Sequence, residues 1–267
     1  MATASVRKPA VTDLFYPGSK DELYKEIEEL LKDAPLYSHR PEALVSPHAG
    51  YIYSGRTAAV SYKQLLNLEK NRGYTFLLLG PSHYIYLSGA SFSYYDYWST
   101  PLGDVKVNKN KIEQFIEYNP SLPITLSSAP HQREHSLEVQ IPFLQVMMDK
   151  FDIIPVVYGD VESLVIKTII DYFKDDNTVV IISSDLSHYH QDNVARVLDS
   201  NCHKAVEMLS VEQLNGCEAC GKIGIEGVIL YGKENGLKAK LLDYRTSGDS
   251  SGDSSVVVGY GSYIFYK

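Results

Sequence analysis

Short apolar runs alternate along the chain with longer stretches in which apolar residues recur every three or four positions. The runs Ala43–Ser46, Phe76–Leu79, Phe151–Tyr158 and Val179–Ile182 are short and nearly free of polar residues, the pattern of strands buried on both faces of a parallel sheet. Between them, helical spacing predicts Asp21–Lys32, capped by Ser19 and burying Leu23, Ile27, Leu30 and Leu31. A second helix runs from about Gly55 to Leu68 on Ala58, Ala59, Tyr62 and Leu65, and a third spans Lys109–Tyr118, stopped by Asn119-Pro120. Leu137–Met148 presents Val139, Phe143, Val146 and Met147, but Pro142 inside it should kink the helix or delay its start. Leu164–Phe173, Asn193–Leu209 and Ile223–Gly236 complete the helices. Ala90–Tyr97 alternates as a strand and returns through Val105–Val107, while Leu237–Tyr244 and Val256–Tyr266 are strands flanking a Ser/Gly/Asp tract that reads as a mobile loop. Strands alternating with helices, with no break in composition, predict a single-domain three-layer α/β/α sandwich over residues 1–267 with a mostly parallel or mixed central sheet.

Polar chemistry gathers where three of these strands end. Pro47 stops the first run and delivers His48 into a turn closed by Gly50; His83 lies just past the second; Asp185, His188 and His190 follow Val179–Ile182. If the strands are parallel, all three loops share one edge, where such sheets bind ligands. His48 and His83 then form a candidate metal pair, and Asp185 with His188, three residues apart, has the parts of an oriented general base, although Asp185 could instead cap the following helix. Glu134, His135 and Glu138 can share a face at a helix start, where the helix dipole already accounts for Glu134. The residues between 1 and 18 form an irregular arm, tied down by the aromatic pair Phe15-Tyr16 beside Pro17-Gly18.

Composition narrows the classes. The chain has 267 residues with 33 acidic against 25 basic side chains, a formal charge of −8, and no Lys/Arg-rich block, which argues against a nucleic-acid partner. No apolar run reaches membrane-spanning length and the first ten residues lack a signal-peptide core, so no membrane partner and a cytoplasmic location are expected. Cys202, Cys217 and Cys220 are too few for a disulfide framework; the lone C-x-x-C lacks the second pair that a structural zinc needs, so one cysteine is expected to be structural and one to line the pocket. H-E-x-x-H and G-x-S-x-G are both missing from the sequence, removing the commonest zinc-hydrolase and serine-hydrolase signatures.

Five segments in register, PHAGY at Pro47–Tyr51, GPSHY at Gly80–Tyr84, EHSLE at Glu134–Glu138, SSDLSHY at Ser183–Tyr189 and ACG-x-I-G-I at Ala219–Ile225, together with DSSVVVGYGSY near the C-terminus, resemble the Memo family nearly end to end. Only Thr12-Asp13-Leu14 departs from the pattern, where relatives more often carry a small residue and glycine. The family is similar in fold to the class III extradiol dioxygenases, which hold a non-haem iron by two histidines and a glutamate. The resemblance implies His48 and His83 as metal ligands, Cys220 in the place of the glutamate, His188 with Asp185 as the acid/base pair, and His135 in the pocket wall. A thiolate in place of a carboxylate turns the preference away from iron-dependent ring cleavage toward copper or zinc. Family members have been linked to copper-dependent redox activity and, in animals, to phosphotyrosine-containing segments. The reading is therefore a metal-dependent oxidoreductase using copper or iron, with zinc as a further option; the rival is a non-catalytic module that binds a peptide or small anionic ligand in the cleft. Substrate and oligomeric state are not encoded in any of these motifs.

Overall fold

The computed structural model describes residues 4–69 and 72–267, and its strands follow the apolar runs closely. In chain order the elements are β1 (Val6–Arg7), α1 (Lys20–Lys32), β2 (Ala43–Ser46), α2 (Tyr51–Lys63), β3 (Tyr74–Pro81), β4 (Ala90–Ser93), β5 (Tyr97–Thr100), β6 (Gly103–Lys106), α3 (Lys109–Tyr118) and β7 (Ile124–Ser127). There follow α4 (Ile141–Met147), β8 (Phe151–Tyr158), α5 (Ser163–Phe173), β9 (Thr178–Ser183), β10 (His188–His190), α6 (Asp192–Glu207), α7 (Lys222–Glu234), β11 (Lys238–Thr246), α8 (Ser247–Ser251) and β12 (Val257–Tyr266).

Among the described residues the main sheet has nine strands, in the order β10-β12-β2-β9-β3-β8-β4-β7, with β11 also on β12. Its centre, β2-β9-β3-β8, is parallel, as their burial on both faces requires; β12 runs antiparallel to β2, and β4 antiparallel to β8. Helices α1, α2 and α4 pack on one another as one outer layer. Helix α5 packs on α7, α3 meets α5 through Phe115 and Phe173, and α6 lies on β11 and β12. One contiguous apolar cluster runs from Val11 to Phe265 through the sheet and both helix layers, so the architecture is the expected three-layer sandwich.

Three local expectations change, and the one at Pro142 holds. The alternating stretch Ala90–Tyr97 is two strands in two sheets: β4 joins the main sheet, while β5 pairs with β1 and β6. The chain turns between them at Asp96, whose carboxylate accepts from Ser5 N and Ser5 Oγ and pairs with Lys109. Helix α2 starts at Tyr51 rather than Gly55, because Gly55 is a packing residue: a Cβ there would stand 2.9 Å from Leu30 Cδ1 of α1. Pro142 delays α4 as anticipated, with a 3₁₀ turn at Glu138–Gln140 before it. The tract after Thr246 is not an open loop but α8, closed by a capping box between Thr246 and Asp249 and fastened to α6 by Arg196–Asp249 and Thr246–Asp192.

Candidate functional site

Three parallel strands end side by side, with Ser46 of β2 opposite Ser183 of β9, and Leu79 of β3 opposite Ile182. The loops beyond them therefore emerge together, and they bring His48 and His83 to a ring-centroid separation of 5.1 Å. His135, from the turn before α4, completes a triangle, 5.4 Å from His48 and 4.6 Å from His83. One nitrogen from each of the three lies within 4.8 Å of those of the other two.

The tautomers of two of these rings follow from their partners. Ser183 Oγ donates to Ser136 O at 2.6 Å and accepts from Gln140 Nε2 at 2.9 Å, so its 2.7 Å contact with His48 Nδ1 is one in which the imidazole donates. Gln140 is held in turn by Tyr62 Oη, which donates to its Oε1 at 2.6 Å. At His83 the partner is the Glu134 carboxylate: Oε1 accepts from Nδ1 at 2.8 Å, and Oε2 from the backbone N of His83 at 2.6 Å. Both histidines thus carry their proton on Nδ1 and keep the Nε2 lone pair for the pocket. His135 Nδ1 is buried without a hydrogen bond, 3.5 Å from Glu134 Oε1.

Burial keeps His48 and His135 neutral. It lowers His48 to about 3, helped by the neighbouring His83, and lowers His135 to about 4, helped by His48. Glu134, although fully buried, is held down at about 2, because the His83 side chain and the backbone amides of His83 and Ser136 outweigh its desolvation. The helix-dipole role expected of Glu134 gives way to another: its carboxylate is the acceptor that orients His83. No helix starts beside it, since α4 begins seven residues later. Glu138 turns the other way, toward Arg7 and the arm, so it does not share the pocket face with Glu134 and His135.

Cys220 reaches the same pocket from the loop before α7. Its Sγ lies 3.3 Å from His48 Nε2, 3.3 Å from the Asp185 amide that donates to it, and 3.6 Å from Asp185 O. Burial and the Asp185 carboxylate push the thiol up to about 12. Gly221 permits this approach: a Cβ there would meet Ser184 Cβ at 2.6 Å and Ser183 O at 2.7 Å. The other two cysteines form a disulfide, Cys202–Cys217, which pins the segment leading to Cys220 onto α6. The expectation of one structural and one pocket cysteine becomes one structural pair and one pocket thiol.

Asp185 and His188 do not form the expected dyad. Asp185 Oδ1 accepts from the backbone N of His48 at 2.7 Å and its Oδ2 lies 3.9 Å from His48 Nε2, because the loop after β9 folds back over β2. It does not cap a helix either, since α6 begins at Asp192. His188 is half-buried at the start of β10 and acts on His48 and Asp185 through space, with no hydrogen bond to Asp185 among the described residues. His190 leaves the pocket to pair with Glu218 at 2.7 Å.

The pocket chemistry is therefore three imidazoles, a thiol and a carboxylate on one sheet edge. No helix among the described residues is long and apolar enough to cross a membrane. The profile of the Memo-like protein family matches residues 7–264. Among curated proteins, one from Aquifex aeolicus named as a MEMO1 family protein is 37% identical over 275 residues, covering 97% of this chain and 99% of its own length. Similarly named proteins from Thermoplasma acidophilum and Archaeoglobus fulgidus are each 37% identical, over 97% of this chain and 98% and 99% of theirs. A match of this extent makes the chain a member of the Memo-like family.

Proposed function

We propose that the pocket is a metal-dependent redox centre for copper or iron, in which His48 and His83 are the fixed ligands. The observation that carries this reading is the pair of Nδ1 locks, Ser183 on His48 and Glu134 on His83, within a cluster where one ring nitrogen each of His48, His83 and His135 lies within 4.8 Å of the others. A buried ring nitrogen of His135 without a hydrogen bond, and a thiol beside His48 Nε2, are the further donors within reach. The donor set fits such an ion: imidazole suits copper, iron and zinc, and the thiolate favours the softer of them. A bound copper or iron would supply one-electron chemistry there. The chain's own residues prepare the site by keeping His48 and His135 deprotonated and by excluding water around His48. Cys220 would release its proton to solvent on ligation, its Sγ standing 3.3 Å from His48 Nε2. Asp185 anchors the His48 backbone and places a carboxylate beside the same group, and His188 at the rim is the free imidazole for proton transfer with a bound substrate.

A second reading keeps the pocket as a binding module for a peptide or small anionic ligand. It is favoured by the rim, where Tyr84 meets His135 edge-on at 5.7 Å and the Arg133 guanidinium stands 5.4 Å above the Tyr84 ring. Titration of Cu(I), Fe(II) and Zn(II) into the wild type, His48→Ala, His135→Ala and Cys220→Ser separates the readings. Tight binding abolished by His48→Ala supports the metal centre, and the larger loss between His135→Ala and Cys220→Ser identifies the third ligand. Absence of stoichiometric binding of all three metals to the wild type would transfer the pocket to the binding-module reading.

A further inference from the structure

The segment from His131 to Glu138 carries both Glu134 and His135, yet it contains no α-helix and pairs with no strand. What fixes its backbone is a side chain from the N-terminal arm, more than 120 positions away. Arg7, in the two-residue strand β1, is 1% exposed. Its Nε donates to His131 O at 2.6 Å, its Nη2 to Glu134 O at 2.7 Å, and its Nη1 to Glu138 Oε2 at 2.6 Å and Lys8 O at 3.3 Å. The guanidinium lies 4.1 Å over the ring of Trp98.

Glu138 closes the device from the other side. Beyond Arg7, its carboxylate accepts from the backbone N of Ala10 and of Val11, and from Tyr16 Oη at 2.6 Å. The arm so held places the Phe15 ring 4.8 Å from that of His135, and Phe15 O accepts from Tyr51 N at the start of α2. Asp13, at φ 62°, adopts the left-handed turn that lets the arm double back, with its carboxylate accepting from Gly18 N.

We infer that Arg7 is a positioning residue of the histidine site: by gripping the carbonyls of His131 and Glu134 it sets where the Glu134 carboxylate meets His83 and where His135 stands. The planar fork is what the task requires. Three nitrogens in fixed directions reach the carbonyls of His131 and Glu134 and the carboxylate of Glu138 together, whereas the single ammonium of lysine keeps the charge beside Glu138 and cannot span both carbonyls. The N-terminal arm is on this view a wall of the site.

The affinity part of the test rests on the metal reading; a second measurement, on metal-free protein, does not. Zn(II) affinity is measured by competition for the wild type, Arg7→Lys and Glu138→Gln, with Phe115→Leu, in the apolar cluster around Phe92 and Phe173, as a control for general destabilisation. Arg7→Lys is expected to bind Zn(II) about tenfold or more weakly, Glu138→Gln less severely, and Phe115→Leu like the wild type at temperatures where all are folded. In metal-free protein, the His83 Nδ1 proton that bonds to Glu134 should exchange with solvent about tenfold faster in Arg7→Lys by NMR, and be unchanged in Phe115→Leu. Wild-type exchange of that proton in folded Arg7→Lys and Glu138→Gln would overturn the inference and leave Arg7 a purely structural ion pair. A wild type that fails to bind Zn(II) counts against the metal reading alone, because the exchange measurement still decides the role of Arg7.

Discussion

At the scale of single residues, the site is defined by which atom of each imidazole is already engaged. Ser183 supplies the one hydroxyl that accepts from His48 Nδ1, so Ser183→Ala should free the ring to rotate or change tautomer while leaving a methyl group in a fully buried position. Metal affinity is expected to fall about 10- to 100-fold, the usual effect of losing a partner behind a ligand. Titration calorimetry beside a thermal melt checks this; an affinity loss no larger than that of an arbitrary variant of equal melting temperature would remove Ser183 from the site. The same residues predict an acid response. His48 and His135 have folded pKa values of about 3 and about 4, below the ordinary 6.5, so the unfolded chain takes up protons first as the pH falls. Their contribution to stability is complete above pH 6.5 and drains away toward pH 4 to 3, at roughly 2 kcal/mol per histidine by pH 5. Glu134 acts in the same direction at lower pH: its contribution is present above the ordinary carboxylate value and is lost as the pH falls toward about 2. Melting temperature recorded from pH 8 to pH 5 should drop by several degrees below pH 6.5, and should drop less in the His48→Gln/His135→Asn double variant.

At the scale of elements, the pocket is made by loops that the strands hold in register but do not themselves shape. The loop carrying Cys220 follows a 3₁₀ turn at Glu212–Gly216 and is fastened at Cys217 to Cys202 of α6. With the two cysteines 15 positions apart, the cross-link should contribute about 3 kcal/mol by restricting the unfolded chain. Reduction by a thiol reagent is expected to lower stability by about that amount in urea unfolding, and Cys202→Ser should reproduce the loss while abolishing the effect of the reductant. A wild type whose unfolding is indifferent to reductant would show that the two thiols are not bonded in solution.

At the scale of the whole molecule, elements from distant parts of the chain meet at one edge of the sheet: the arm, three strand-end loops, the turn before α4 and the loop before α7. Because the ligand atoms come together only in the folded chain, a metal that binds there stabilises the entire fold by mass action. At free metal about 100-fold above the dissociation constant, the gain should be about 2.7 kcal/mol. For a chain of this size that is a rise of roughly 5 to 10 °C in melting temperature. Calorimetric scans of apo protein with added Cu(I), Fe(II) or Zn(II) check it, and the shift should vanish in His48→Ala.

Much of this protein is written locally. The apolar runs set the strands and their burial on both faces, and Pro47 and Gly50 mark where the first site loop leaves the sheet. His48 and His83 were therefore legible as pocket residues, because a strand end and a short loop leave few directions for a side chain; His135 and Cys220 were legible because the spaced motifs resemble the Memo family end to end. Partnerships between distant residues were decided elsewhere. That Glu134 serves His83 and not a helix end, that Glu138 faces Arg7 across 131 positions, that Asp185 anchors His48 and not His188, and that Cys202 pairs with Cys217 are all contacts between segments with no periodicity to relate them. Hydrophobic pattern reports how each segment sits relative to the core. Hydrogen bonds and thiols are satisfied by whichever groups packing brings within about 3 Å, and only the assembled tertiary structure decides which those are.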